Sequence, residues 1–340
     1  MAATSASKDM QRGGYRMNCT RCKTESQWLL AMFLLVTATS AAARDRVSPN
    51  DWLDRMSAAV ATTDYEGTVI RRQNGEAQAL KVVHKVIDGV VNEKVITQEG
   101  NGLEIIRIGN EVHCILPDKK SVLIEQWNDR STLFSTLPSS DVSFGSEYDL
   151  SLVREERVAG RPTVLLAIRP HDSFRFGHRI WLDRETAFPL RTELIDNDGQ
   201  LIEQFKFADI NLESAVSQQA LKPSISLDNF VWYTDPVRAE AAEVETNWIC
   251  DDLPPGFRVI STRHEQLPGA DTPVTHIVYG DGLATVSVFI AENQDQAIAR
   301  RSNIGVSSSF SLESGDYQIT AVGEVPAETV QRIASSMRLR

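Results

Sequence analysis

Six runs rich in valine and isoleucine, at 65–72, 79–87, 90–97, 103–108, 111–116 and 121–125, are punctuated by Asn74-Gly75, Asp88-Gly89, Gly109-Asn110 and Pro117-Asp118. Asn, Asp and Gly accept positive φ at little cost, so such pairs reverse the backbone within a few residues. Strands joined this tightly pair antiparallel, because a parallel pair needs a long crossover. This part of the chain is therefore expected as an antiparallel sheet whose sequence neighbours are spatial neighbours. Residues 177–207 extend it as a three-stranded meander: Asp196-Asn197-Asp198-Gly199 supplies one reversal, 183–186 another, and Pro189 suits an edge or a strand start. In its last strand Leu201, Phe205 and Phe207 alternate with Ile202, Gln204 and Lys206, the period of a strand with one dry and one wet face.

Other elements frame this sheet. Ser48 can cap a helix, Pro49 suits its first position, and Asp51 completes a capping box; Trp52, Leu53, Met56, Ala59 and Val60 follow at helical spacing. Leu80, Val82, His84 and Val86 share a strand face, which makes His84 a hydrogen-bonded core or cavity residue rather than a metal ligand. Between 126 and 144 the period breaks into an irregular stretch with Trp127, Leu133, Phe134, Leu137 and Phe144. It reads either as a fixed lid on the core or as a movable cover over an apolar pocket. Strands resume at 148–158 and 163–169. A helix, consecutive antiparallel strands and irregular helices in the middle make an α+β layer or an open, half-closed barrel.

The N-terminal residues are set apart. Arg16, Arg21 and Lys23 precede an apolar run at 28–36, and Ala41-Ala42-Ala43 offers a cleavage site before Arg44. That is the layout of a secretory signal peptide over 1–43, with Met10 and Met17 as alternative starts, and the run is too short to span a membrane. Cys19 and Cys22 fall in the segment to be discarded, which removes the zinc or redox reading of their C-x-x-C spacing. For Cys114 and Cys250 two readings stay open, a buried thiol and an inter-domain disulfide. Residues 1–43 carry a surplus of three positive charges, so their removal takes the formal charge from −11 to −14. So negative a chain is not built for nucleic acid or for adsorption to anionic lipid.

Past Ile210 the strand period is lost, and 212–244 reads as an inter-domain linker after a first domain at 44–211. Phe230, Val231, Trp232 and Tyr233 interrupt it, either docking the linker on a domain or forming an exposed partner site. A second domain at 245–340 has strands at 258–264, 275–279, 284–290 and 317–322, and a closing helix at 326–337 with Val330, Ile333, Ala334 and Met337 on one face. Reactive constellations are missing: no H-E-x-x-H, no G-x-S-x-G, no Walker A and no G-x-G-x-x-G. Ser307-Ser308-Ser309 reads as a surface loop, and turn chemistry accounts for His171-Asp172 and for Asp183 with Glu185. The expectation is a binding protein with no catalytic residue, metal or cofactor.

Six stretches together carry a resemblance: Tyr65-Glu66-Gly67-Thr68, Val83-His84-Lys85-Val86 before Asp88-Gly89, Val112-His113-Cys114-Ile115-Leu116-Pro117-Asp118-Lys119-Lys120, Arg179-Ile180-Trp181-Leu182-Asp183-Arg184-Glu185-Thr186, Tyr279-Gly280-Asp281-Gly282-Leu283-Ala284 and Val322-Gly323-Glu324-Val325-Pro326. In this order they resemble the RseB/MucB family, periplasmic regulators of the envelope-stress sigma factor. The resemblance implies a large N-terminal domain like the lipoprotein carriers LolA and LolB, a half-open antiparallel β-barrel covered by helices, and a smaller C-terminal α/β domain. It implies a periplasmic protein that binds the periplasmic region of an RseA/MucA-type anti-sigma factor, shields it from proteolysis, and lets go when lipopolysaccharide or lipoprotein acyl chains occupy it. A homo-oligomer is left open, and the competing reading is a lipid or lipoprotein carrier. No family motif is specific enough to place binding residues, so these come from strand faces. Leu80, Val82, Val86, Val112, Leu116, Phe205 and Phe207 are expected to line the lipid cavity, Trp127, Phe134 and Leu137 to cover it, and Phe230, Trp232 and Tyr233 to hold the anti-sigma segment.

Overall fold

The structure, a computed structural model, describes residues 47–126, 133–134, 137–138, 146–212, 215–234, 244–266, 272–292 and 300–340. The leader-like residues and Trp127 lie outside the described residues. The first element is α1 (Pro49–Thr62), entered through the capping box: Ser48 Oγ accepts from Asp51 N at 3.1 Å and Asp51 Oδ2 from Ser48 N at 2.9 Å. Trp52, Leu53, Met56 and Ala59 turn inward and are buried.

The large sheet has 12 strands: β1 (Tyr65–Gln73), β2 (Glu76–Ile87), β3 (Val90–Thr97), β4 (Glu104–Ile108), β5 (Glu111–Leu116), β6 (Ser121–Gln126), β7 (Tyr148–Val158), β8 (Arg161–Pro170), β9 (Gly177–Asp183), β10 (Pro189–Ile195), β11 (Leu201–Asn211) and β12 (Val231–Thr234). Sequence neighbours pair as the turn chemistry requires, with positive φ at Asn74, Gly75, Asp88 and Gly89. One non-local join is β1 to β11, antiparallel with a bulge at Thr68/Val69. Gly67 permits it, because a Cβ there would stand 2.4 Å from Asp209 O. The end strands β7 and β12 do not pair with each other, so the sheet is not closed. It is curled nonetheless, since β7 reaches β11 and α1 reaches β7 across the dry face.

Register makes that dry face continuous. Tyr65 stands opposite His84, His84 opposite Glu93, Glu93 opposite Arg107 and Arg107 opposite Val112. Ring packing fills the middle of the curl: Tyr65 stacks on His84 at 4.9 Å and meets Phe188 at 4.8 Å, and Phe134 meets Phe188 edge-on at 5.7 Å. Each large side chain so buried contributes roughly 1.5–3 kcal/mol. His84 is a core residue there, its Nδ1 bonded to Thr63 O at 3.0 Å.

The polar stretch after β11 is not free-standing. Lys85 Nζ donates to Val216 O at 2.9 Å, a 3-10 turn at Gln218–Leu221 rests on β2 and β3, and Leu227 and Phe230 pack on Ile106, Ile115 and Val122. It then enters the sheet as β12, parallel to β6. Residues 215–234 thus form a strap over the outer face of the large sheet.

The C-terminal part contains a six-stranded sheet in the order β14-β15-β16-β19-β18-β17: β14 (Arg258–Glu265), β15 (Val274–Gly280), β16 (Thr285–Glu292), β17 (Arg300–Ile304), β18 (Ser307–Ser314) and β19 (Tyr317–Gly323). Helix α2 (Ala327–Ser335) packs Val330, Ile333 and Ala334 into its core. β13 (Trp248–Cys250) pairs with β20 (Met337–Leu339). Two expectations are corrected. Ser307-Ser308-Ser309 is no surface loop but the start of β18, because pairing on both sides overrides the weak strand preference of serine. Met337 is not the last helical turn; it opens β20 and pairs with Cys250. Cys114 and Cys250 are both free and half-buried.

Candidate functional site

The main cavity, ≈ 1020 Å³, lies where the curled sheet meets the C-terminal sheet. One wall is α1 with Met56 and Val60, another the β2–β3 and β4–β5 turns with Val90 and Asn110, and Phe134 and Leu137 form a third side. Tyr148, Phe176 and His178 continue it, and Leu283, Ala284 and Val322 close it from the C-terminal sheet. Its size is at the top of the usual range for small-molecule sites, and its lining mixes apolar side chains with polar ones in nearly equal measure.

Arg107, His178 and Glu324 are its ionisable side chains other than Tyr148, and Ser57, Asn110, Thr285, Ser287 and Ser307 add neutral polar groups. Arg107 is buried and donates from Nε to Gly109 O at 2.6 Å, so the guanidinium is fixed by its own turn. His178 keeps some exposed surface but is enclosed by neighbours, and burial lowers its pKa to about 4 against the opposing pull of Asp281. Near neutral pH the imidazole is therefore uncharged. Such a surface suits a ligand with both an apolar body and a polar end.

The strand-face residues divide. Leu80, Val82, Val112 and Phe207 are buried, while Val86, Leu116 and Phe205 are half-buried. Register does bring all seven to one face. Yet among the described residues none of the seven reaches the wall of the main cavity; Leu80, Val82, Phe205 and Phe207 are packed into one cluster with the rings of Tyr65, Phe134 and Phe188. Phe134 and Leu137 do line it. Phe176 and Leu283 escaped notice because they sit in turns, where strand alternation carries no signal.

A second feature is the edge made by β12. Phe230 is anchored against β4, β5 and β6, whereas Val231, Trp232 and Tyr233 are 54%, 48% and 55% exposed. Trp232 leans edge-on against His113 at 5.9 Å. On its far side β12 pairs with no strand among the described residues, so it offers backbone groups and aromatic rings together. The acid/base pairs considered in the sequence have structural roles: Asp183 Oδ1 accepts from Glu185 N and Thr186 N at 3.0 and 2.9 Å, and His171 Nε2 meets Asp149 at 3.0 Å on the surface. No cluster of metal-ligating side chains occurs among the described residues.

Comparison with known proteins adds three findings. A model of the MucB/RseB N-terminal domain matches residues 48–225, and one of the MucB/RseB C-terminal domain matches 242–338. The sigma factor AlgU regulatory protein MucB of Pseudomonas aeruginosa is 34% identical over 316 residues, 91% of this chain and 95% of that protein. The sigma-E factor regulatory protein RseB of Escherichia coli K12 is 24% identical over 294 residues, 84% and 89% of the two chains. The structure is similar to that of MucB in the Pseudomonas aeruginosa MucA/MucB complex, with TM-score 0.66, 30% identity, and 86% and 99% of the two chains covered.

Proposed function

This chain belongs to the MucB/RseB family of sigma factor regulators, and from that premise we propose that it binds the periplasmic segment of a membrane-anchored anti-sigma factor of the MucA type. The observation that carries the reading is likeness over 86% of the chain to a MucB in complex with MucA, together with matches to both domain models of the family. In the bound state the anti-sigma segment is shielded from its protease. Lipid with acyl chains, lipopolysaccharide or a mislocalised lipoprotein, releases it. The leader-like residues 1–43 support a periplasmic location for this work.

The cavity supports the lipid arm, and the β12 edge supports the partner arm. Acyl chains contribute roughly 0.8 kcal/mol for each methylene buried, and a cavity walled by Met56, Val60, Phe134, Leu137 and Leu283 provides the cover. Release requires that lipid favour the partner-free state, since equal affinity for both states shifts nothing. A carrier would use the same cavity, but Leu283, Ala284 and Val322 belong to the C-terminal sheet, a part that simple transfer has no need of.

The test is capture of the periplasmic segment of the anti-sigma factor encoded with this protein, with and without lipopolysaccharide. Capture that lipopolysaccharide weakens is the expected result. Absence of capture alongside undiminished acyl-chain uptake would replace this reading with the carrier.

A further inference from the structure

The loop between β8 and β9 reads in sequence as a polar surface turn, His171-Asp172-Ser173-Phe174-Arg175, yet Arg175 is 0% exposed. Its guanidinium meets groups of both sheets. Nη1 lies 2.9 Å from Asp172 Oδ2 in its own loop, and Nε lies 2.9 Å from Asp281 Oδ2 in the β15–β16 turn. Nη2 donates to Pro255 O, and the cation stands 5.3 Å above the Tyr148 ring and 5.1 Å from that of Phe257. Asp281 is used just as fully. Its Oδ2 also accepts from Tyr148 Oη at 2.8 Å, and its Oδ1 accepts from Leu283 N and Ala284 N at 2.9 and 2.8 Å. Burial and then the charge of Asp281 push the Tyr148 phenol up, so it remains a donor. Beside this centre Phe174 is gripped by α2, with Thr329 Oγ1 donating to Phe174 O at 2.8 Å and Arg332 lying 4.5 Å over the ring.

We infer that Arg175 is a latch: one buried cation, neutralised by a carboxylate from each sheet, on which the closed arrangement of the large and C-terminal sheets depends. The argument is one of pairing. Asp281 is buried, and in this arrangement Arg175 is the cation beside it. Separation of the sheets returns both charges to water, whereas loss of Arg175 alone leaves a carboxylate buried without its counter-charge, a state the molecule relieves by opening. A lysine cannot replace the arginine, because a point charge does not span Asp172, Asp281 and Pro255 O together. The latch also bounds the main cavity, since Tyr148, Leu283 and Ala284 belong to both. Opening the latch therefore takes the cavity apart. This inference is independent of the identity of any partner.

The experiment uses the full chain with no ligand. Arg175→Met, which keeps side-chain volume without the charge, is compared with wild type by small-angle X-ray scattering and amide exchange. The expected result is a larger radius of gyration and at least tenfold faster exchange at Leu283 and Ala284, with unchanged protection in β1, β2 and β16. Arg175→Lys should lie between the two. A wild-type radius and wild-type exchange in Arg175→Met would overturn the latch. Should that variant fail to fold, Tyr148→Phe, which removes one hydrogen bond to Asp281 and keeps the ring, gives the same reading: unaltered exchange at Leu283 and Ala284 overturns the proposal, and faster exchange there supports it.

Discussion

His178 and Asp183 stand at the two ends of β9, and the fold treats their charges in opposite ways. Burial beside the cavity lowers His178 to about 4, with Asp281 pulling upward, so folding favours its neutral form. For Asp183 burial pushes the carboxyl up, but hydrogen bonds from Arg161 and from the Thr186 and Glu185 amides outweigh it and hold it below the usual range, so folding favours its charged form. The signs follow by linkage. The histidine contribution is complete above its unfolded value of 6.5 and is lost as pH falls from there towards about 4. The aspartate contribution is present above its ordinary value of 3.8 and is lost only below it. Stability should therefore decline between pH 6.5 and 4.5 by roughly 1–3 kcal/mol through His178. His178→Gln should flatten that part of a urea-midpoint against pH curve and leave the acid limb of Asp183 in place. Equal slopes for variant and wild type would remove His178 as the cause.

At the scale of elements, Lys94 is one of the side chains that hold the strap on the outer face, beside Lys85, Leu227 and Phe230. Lys94 is buried on β3; its Nζ donates to Lys222 O and to Ser224 Oγ at 2.8 Å, and lies 3.6 Å from Glu104, which itself accepts from Ser224 N at 2.9 Å. Lys94→Met strands the Glu104 charge and should cost roughly 3–5 kcal/mol, the usual loss when one partner of a buried pair is removed. Pairing it with Glu104→Leu should recover most of that loss. A urea titration of the two single variants and the double variant measures this, and failure of the double to recover would mean that strap contacts, not the stranded charge, carry the energy. Positioning of β12 is at stake too, since it is delivered by the same strap and seated by Leu227 and Phe230. In the sequence this stretch reads as a linker because it has neither strand nor helix period. It is held by single side chains reaching backbone carbonyls, and periodicity does not report such bonds.

For the molecule as a whole, the two sheets have separate cores: the C-terminal cluster runs from Trp248 to Met337 without help from the large sheet. The β8–β9 loop carries the buried charge contact between them, beside Leu283, which packs on the core of the large sheet, and the latch should decide whether they unfold together. Calorimetry should show one transition for wild type and two for Arg175→Met. A single transition in both would mean that the cores are coupled by some other contact. The same geometry explains the cavity, since no element of either sheet encloses it alone.

The sequence by itself determined what depends on residues a few positions apart. Turn pairs such as Asn74-Gly75 and Asp88-Gly89 set the antiparallel order, the period of two placed Leu80, Val82, Val112 and Phe207 on one dry face, and Ser48 with Asp51 started α1. The motifs spread along the chain also carried the family. Tertiary structure alone decided what depends on residues more than a hundred positions apart. The cavity is the space left after elements from Met56 to Glu324 have packed, so no local pattern marks its wall. Arg175 reads as a solvated loop cation because isolated charges are rarely buried, and only the arrival of Asp281 from the other sheet supplies the counter-charge that makes its burial tolerable.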